Sequence, residues 1–332
     1  MERLQEIIST ILTDDQPTVL ATIVHVDGSA YRKEGAWMLL KEDDTRLGVI
    51  SGGCLESDLH NRAQGLFNTG KTDVFRYDLS AEDDLGWGRG AGCNGVVTVM
   101  VRAIDATFRK ALTFLNDQLQ AKQPVYYMQS MKDFNMYSFI SRSGAKFGEV
   151  NDETRPELDT ATPFQNIAGQ VTVCDETVYR QVVWPKPNLY IIGAGADARP
   201  LARVAGNVGY AVHLLDWRES LCNELYFPTA ESFQLGDLEK LIGNIPFSPL
   251  DSVIVMTHDF QQDIKLVQSL CSFQLLYLGV LGSKKRMKRL YGGEVPDWIH
   301  SPIGLSIGAD GPEEIAVSIV AELIAVRRGK MT

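Results

Sequence analysis

The stretch that most constrains this chain is residues 189–218, LYIIGAGADARPLARVAGNVGYAVHLLDWR. Leu189 to Ile192 is a short apolar run, suited to a strand buried on both faces. Gly193-Ala194-Gly195 follows at once, and Leu201, Val204, Ala205 and Val208 then recur at helical spacing. A second apolar run, Ala211 to Leu215, ends in Asp216. The order is strand, glycine turn, helix, strand, acid. Gly193 permits the tight turn, Gly195 lets a pyrophosphate approach the backbone at a helix start, and Ala198 completes G-x-G-x-x-A. Asp216 falls where a ribose-binding acid belongs, roughly 20 residues on. The pattern predicts a Rossmann unit. The glycines serve either a nucleotide or simply the packing of a helix on a sheet.

Downstream the same alternation continues. Asp251 to Met256 reads as a buried strand ending in Thr257-His258-Asp259. A helix follows to about Cys271, then a strand from Leu275 to Val280, then Gly282-Ser283 opening a basic helix. Gly311-Pro312-Glu313-Glu314 starts the last helix, with proline and acids in its first turn. Upstream, Trp184-Pro185-Lys186-Pro187-Asn188 excludes regular structure, because each proline restricts itself and its predecessor. With 332 residues and 45% hydrophobic content, two domains are expected, 1–184 and 185–332.

The first half reads as α/β. Residues 2–13 form an amphipathic helix. Strands are expected at Val19–Val26, Ala36–Leu40, Arg46–Ile50, Asp73–Leu79 and Val96–Ala103. Helices are expected at 55–66 and 106–121. Short alternating strands fill Val125 to Trp184, interrupted by a polar, proline-bearing loop at Asn151–Pro163. No internal repeat is visible. The fold class is thus α/β, an N-terminal α/β domain followed by a doubly wound parallel sheet.

Whole-chain properties narrow the function classes. The net charge of −10, without a long basic run, disfavours nucleic acid and anionic membranes as partners. No apolar segment approaches the length of a membrane span, and the N-terminus lacks a signal-peptide core. The five cysteines, Cys54, Cys93, Cys174, Cys222 and Cys271, contain no C-x-x-C, against a disulfide framework or an iron–sulfur site. The expected setting is the cytoplasm.

Several features carry chemistry or merely structure. Ser51-Gly52-Gly53-Cys54 precedes a helix. It is either an anion-binding nest with a stabilised thiolate or a tight turn with a small buried cysteine. Gly86, Gly88, Gly90, Gly92 and Gly95 surround Cys93, in a loop that approaches something closely or is a lid. Cys54 and Cys93 together would offer two soft ligands to a metal centre. Arg32 and Lys33 either clamp a phosphate or form a solvated pair. His258 lies at the end of a Rossmann strand, where ligands bind, beside Thr257 or Asp259 as helix cap. The basic helix after Ser283 either meets a phosphate or is an exposed face. Cys174, Cys222 and Cys271 read as structural.

Blocks in both halves resemble the XdhC/CoxI family, accessory proteins of xanthine dehydrogenase and related molybdenum hydroxylases. They are Gly28–Ala36 (GSAYRKEGA), Gly48–Glu56 (GVISGGCLE), Val253–Asp263 (VIVMTHDFQQD), Tyr277–Arg286 (YLGVLGSKKR) and Ser301–Gly329. The resemblance implies a chaperone that binds the molybdenum cofactor (molybdopterin), protects it during sulfuration and passes it to an apo-hydroxylase. It also implies a cysteine desulfurase as second partner and allows a homodimer. The cofactor-binding residues implied are Arg32, Ser51, Gly52, Gly53, Cys54, Gly92 and Cys93, with Cys54 and Cys93 near the metal. In the Rossmann crevice, Gly193, Gly195, Asp216 and His258 would serve NAD or another nucleotide. Two positions depart from the family pattern: Ala196 replaces a histidine after the glycine turn, and Asn94 replaces a glycine after Cys93.

The alternative function is an NAD-dependent oxidoreductase using Gly193, Gly195 and Asp216. Against it stands the lack of a clear acid–base pair in the sequence. A complete xanthine dehydrogenase is not expected, since the chain is short for the usual redox domains and has no clustered cysteines.

Overall fold

The computed structural model describes residues 4–53, 55–79, 95–149, 164–173 and 175–331. Two compact units emerge, one of residues 1–157 and 166–185, the other of 158–165 and 186–332. Among the described residues no helix is long and apolar enough to cross a membrane.

The first unit runs α1 (Leu4–Thr13), β1 (Thr18–Gly28), β2 (Trp37–Lys41), β3 (Arg46–Gly48), α2 (Glu56–Ala63), β4 (Thr72–Asp78) and β5 (Gly95–Ala103). It continues with α3 (Ala106–Gln120), β6 (Val125–Ser130), β7 (Tyr137–Ser141), β8 (Lys146–Gly148), β9 (Ala168–Val173) and β10 (Glu176–Val183). Helix α1 forms because Ile7, Ile8 and Ile11 share one buried face. Asp105 caps α3 by accepting from Phe108 N, and Phe108, Leu112, Leu115 and Leu119 make its buried stripe. The strands form two antiparallel sheets, β3-β2-β1-β5-β4 and β8-β7-β6-β10-β9. Leu20, Trp37 and Met100 of the first sheet share a core with Tyr127, Phe139 and Tyr179 of the second and with both helices. The other face of the first sheet, with Ala21, Met38 and Val99, packs against Leu55, Leu59 and Ala63 at α2.

The expectation of no internal repeat is corrected by this topology. The two sheets repeat one plan, strand for strand, each preceded by a helix. Val19 lies between Leu40 and Ala103, and Tyr126 lies between Ile140 and Val182. Met38 opposes Gly48 as Ser138 opposes Gly148. Arg102 opposes Thr72 as Gln181 opposes Ala168. The halves are also tied reciprocally: Arg102 donates to Gln129 Oε1 at 2.6 Å, while Gln181 accepts from Trp37 Nε1 at 2.9 Å. The repeat is invisible in sequence because WMLLKEDDTRLG and YSFISRSGAKFG share only their last glycine. Sheet pairing fixes register and burial on each face rather than residue identity.

The connection from β4 to β5 breaks the symmetry. Residues 79–94 link β4 to β5, whereas residues 174 and 175 alone link β9 to β10.

The second unit runs β11 (Asn188–Ile192), α4 (Ala198–Asn207), β12 (Ala211–Asp216), β13 (Ser232–Leu235), α5 (Leu238–Asn244), β14 (Ser252–Val255), α6 (Phe260–Leu270), β15 (Tyr277–Val280), α7 (Lys284–Tyr291), β16 (Ile299–His300) and α8 (Gly311–Arg327). Its six strands are all parallel, in the order β13-β12-β11-β14-β15-β16. Leu189 and Ile191 face α4 and α8, with Leu201, Ala205, Ile319 and Leu323. Tyr190 and Ile192 face the opposite layer, with Ile242, Leu266 and Met287 from α5, α6 and α7. The strand order reverses between β11 and β14, which is where a doubly wound sheet opens its ligand crevice.

Candidate functional site

In the first unit, antiparallel register brings several chain segments to one end of a sheet. Strand β1 ends at Gly28 beside Gly95, where β5 begins, and Asp78 at the end of β4 pairs with Val96. Strand β2 starts and β3 ends at this same end, since Trp37 pairs with Thr22 and Gly48 with Met38. The β1–β2 connection carrying Arg32, the Ser51–Gly53 turn and the two anchors of residues 80–94 therefore share one edge. Arg32 is half-buried and makes no hydrogen bond or ion pair with another described residue. Gly52 and Gly53 are exposed, with open space where a side chain would stand.

Ser51 plays an inward role there. It is buried, as is Glu56. Glu56 Oε1 accepts from Ser51 N at 2.7 Å, and its Oε2 accepts from the Ser51 hydroxyl. Ser51 Oγ in turn accepts from Gly53 N and Leu55 N, each at 3.1 Å. Burial pushes the Glu56 carboxyl up, but the hydrogen bonds from Ser51 outweigh it and hold the group below its usual value. Two amides of the possible anion nest, those of Ser51 and Gly53, are thus spent on this brace, together with that of Leu55. The Gly52 N–H bonds to no other described residue. Cys54, Gly92 and Cys93 lie outside the described residues. So does Cys174. Among the described residues no cluster of three or more histidine, cysteine or acidic groups is placed to hold a metal. Cys222 and Cys271 are free thiols, and burial pushes Cys222 up to about 11.

In the second unit the glycine turn lies at the switch point. Gly193 has φ +112, and a Cβ there would stand 2.5 Å from Met256 O, so only glycine lets β11 turn against β14. Asp216 is fully buried and reaches back to this turn, accepting from Ala194 N at 2.6 Å. Burial raises its carboxyl, but the Arg218 side chain and the amides of Ala194 and Arg218 pull it below the usual carboxylate value.

Asp197 and His258, remote in sequence, form a pair over Gly195. His258 Nε2 meets Asp197 Oδ2 at 2.7 Å. A Cβ on Gly195 would lie 2.6 Å from Asp197 Oδ1, so this carboxylate covers the place where a pyrophosphate approaches. His258 holds φ +63, a left-handed conformation that costs a non-glycine residue about 1 kcal/mol. Its side chain is 61% exposed. Asp259 caps α6 by accepting from Gln261 N and Gln262 N, while Thr257 donates to the buried Asp263. Arg286 is not a free phosphate contact: it pairs with Asp263 at 2.7 Å and donates to Leu281 O. Beside Asp197 lies a cavity of about 100 Å³ walled by Leu201, Met256, Leu281, Pro312 and Ile315. Sequence reading missed Asp197 and Arg218. Asp197 sat inside the glycine motif, and Arg218 two residues past the expected acid.

Fold and turn together define a Rossmann-type protein with a duplicated antiparallel unit before it. The chain belongs to the XdhC and CoxI family: residues 11–78 match that family and residues 189–323 match the XdhC Rossmann domain. Among curated proteins it is 38% identical to a probable xanthine dehydrogenase subunit of Bacillus subtilis (strain 168), over 99% of this chain and 98% of that one. It is 24% identical to the "Molybdenum cofactor insertion chaperone PaoD" of Escherichia coli (strain K12), over 95% of this chain and 85% of that one. A crystal structure described as a xanthine dehydrogenase from Bacillus halodurans superposes with a TM-score of 0.85 at 38% identity, covering 99% of this chain and 96% of that one.

Proposed function

We propose that this protein is an accessory chaperone of a molybdenum hydroxylase. It holds the molybdenum cofactor while the terminal sulfur is installed with help from a cysteine desulfurase, then passes it to the apo-enzyme. The observation that carries this reading is the alignment with a molybdenum cofactor insertion chaperone over 95% of the chain, spanning both units. The relatives whose names mention xanthine dehydrogenase fit a protein that serves such an enzyme.

The first unit offers a coherent place for the cofactor. Arg32 is a cation without a partner among the described residues, suited to a phosphate. Gly52 and Gly53 leave backbone open to close approach. Cys54 and Cys93 would lie near the metal, where a thiolate is a better ligand for a soft centre than a hydroxyl. The duplication adds independent support. The matching β9–β10 link is residues 174 and 175 alone, so pairing two such strands does not by itself call for a connection as long as the one from β4 to β5.

The test is the molybdenum and pterin content of protein purified from molybdenum-replete cells, with Cys54→Ser and Cys93→Ser beside the wild type. Bound cofactor in the wild type and loss in either variant is expected. A wild type free of pterin and molybdenum contradicts the reading. Undiminished occupancy in both variants removes the cysteines from it.

A further inference from the structure

At the end of β12 the second unit turns a cation toward solvent, where its sequence promises an acid. Asp216 stands where an acid would accept from the hydroxyls of a nucleotide ribose, but its carboxylate is filled from within. Oδ2 accepts from Ala194 N at 2.6 Å and Arg218 Nη2 at 2.7 Å. Oδ1 accepts from Arg218 N at 2.8 Å and Arg218 Nε at 2.9 Å. A carboxylate has about four acceptor positions, so these four bonds occupy it. With Asp216 fully buried, a ribose hydroxyl reaches it only by displacing one of them.

The group turned toward solvent is Arg218. Its side chain is 35% exposed, and Nη1 bonds to no other described residue. One edge of the guanidinium is fixed by Asp216. Its carbon lies 4.5 Å from the ring centroid of Trp217, which is itself 39% exposed. A planar cation held on one edge and supported on an indole is preorganised for an oxyanion. At the end of β12, one strand from the glycine turn, this is where a nucleotide ribose would lie.

We infer that this crevice recognises a nucleotide through a phosphate on its ribose, with Arg218 as the phosphate contact and Trp217 as the apolar flank. The ligand class is a 2′-phosphorylated adenine nucleotide, NADP rather than NAD. Asp197 sets the strength of binding, not the choice. Its carboxylate over Gly195 opposes the pyrophosphate common to both dinucleotides. The inference goes beyond the chaperone reading and does not rest on it, since it concerns the second unit and a different ligand.

Calorimetric titration of the full chain with NADP and NAD tests it. NADP is expected to bind roughly tenfold more tightly, the size of one charge-assisted contact. That advantage should shrink as salt is raised from about 0.05 to 0.5 M, because Arg218 is exposed to screening. Arg218→Gln should abolish the advantage, and Asp197→Ala should tighten both ligands while preserving their ratio. The salt series on the wild type keeps the test decisive if Arg218→Gln does not fold. NAD binding as tightly as NADP, a salt-independent ratio, or no binding of either at millimolar concentration overturns the inference.

Discussion

Gly48 and Gly148 occupy the same place in the two sheets of the first unit. Gly48 has φ +92 and Gly148 φ +93. A Cβ on Gly48 would stand 2.6 Å from Trp37 O, and one on Gly148 would press on Tyr137 O. Each glycine ends the third strand of its sheet, where the chain must turn left-handed against the neighbouring backbone. Gly48→Ala and Gly148→Ala should each cost about 1–3 kcal/mol, from the positive φ and the backbone clash combined. Gly65→Ala, with nothing within 4 Å and no positive φ, should change stability by no more than about 0.5 kcal/mol. Urea unfolding midpoints check this. Equal midpoints for all three variants would show that the turn does not need glycine.

A second prediction concerns Asp216. Its carboxyl is held below its unfolded value, so the stability it contributes is fully present above about pH 4 and is lost as pH falls through the lowered folded value. Asp216→Asn should cost about 2 kcal/mol at neutral pH. That is less than a fully buried pair would lose, because Arg218 is partly exposed. The gap between wild type and variant should stay constant from about pH 5 to 8 and close below about pH 4. Glu322 behaves in the same sense: burial raises it, but His300, Tyr277 and Gly304 N pull it down further. Unfolding measured across this pH range gives the answer. A gap that widens toward acid would reverse the assigned direction.

The fold of the second unit was legible because a buried parallel sheet writes itself as short apolar runs between glycine turns and helix caps. Leu189–Ile192, Ala211–Leu215 and Asp251–Met256 all read this way. The duplication was not legible, because the two sheets share register and turn geometry but almost no identical residues. Candidate site residues were readable by type and not by direction. Asp216 stands at its expected spacing, yet bonds from Arg218 and Ala194, which spacing does not encode, turn it inward. Ser51 was read as part of either a nest or a tight turn, and sequence did not show that Glu56, five residues on, takes up its amide and hydroxyl. The pairing of Asp197 with His258 had no sequence signal, since the parallel crossover from β11 to β14 alone makes them neighbours.

Cys222 provides a third prediction. Burial pushes its thiol up to about 11, so at pH 8 only on the order of one molecule in a thousand carries the thiolate that reacts. Iodoacetamide should leave Cys222 unmodified in the native protein and label it after unfolding in urea. Peptide mass spectrometry reads the outcome, and rapid native labelling of Cys222 would contradict its enclosure.

In the chaperone function proposed above, residues 80–94 serve the molybdenum cofactor. Replacing them with an Asn-Gly turn joins Leu79 to Gly95, mimicking the short link of the second sheet with a turn suited to tight hairpins. The decisive measurement is the molybdenum and pterin content of this variant after purification from molybdenum-replete cells, beside its melting temperature. A melting temperature within a few degrees of wild type and a cofactor content reduced at least roughly tenfold are expected. A folded variant that retains cofactor at the wild-type level would contradict that role.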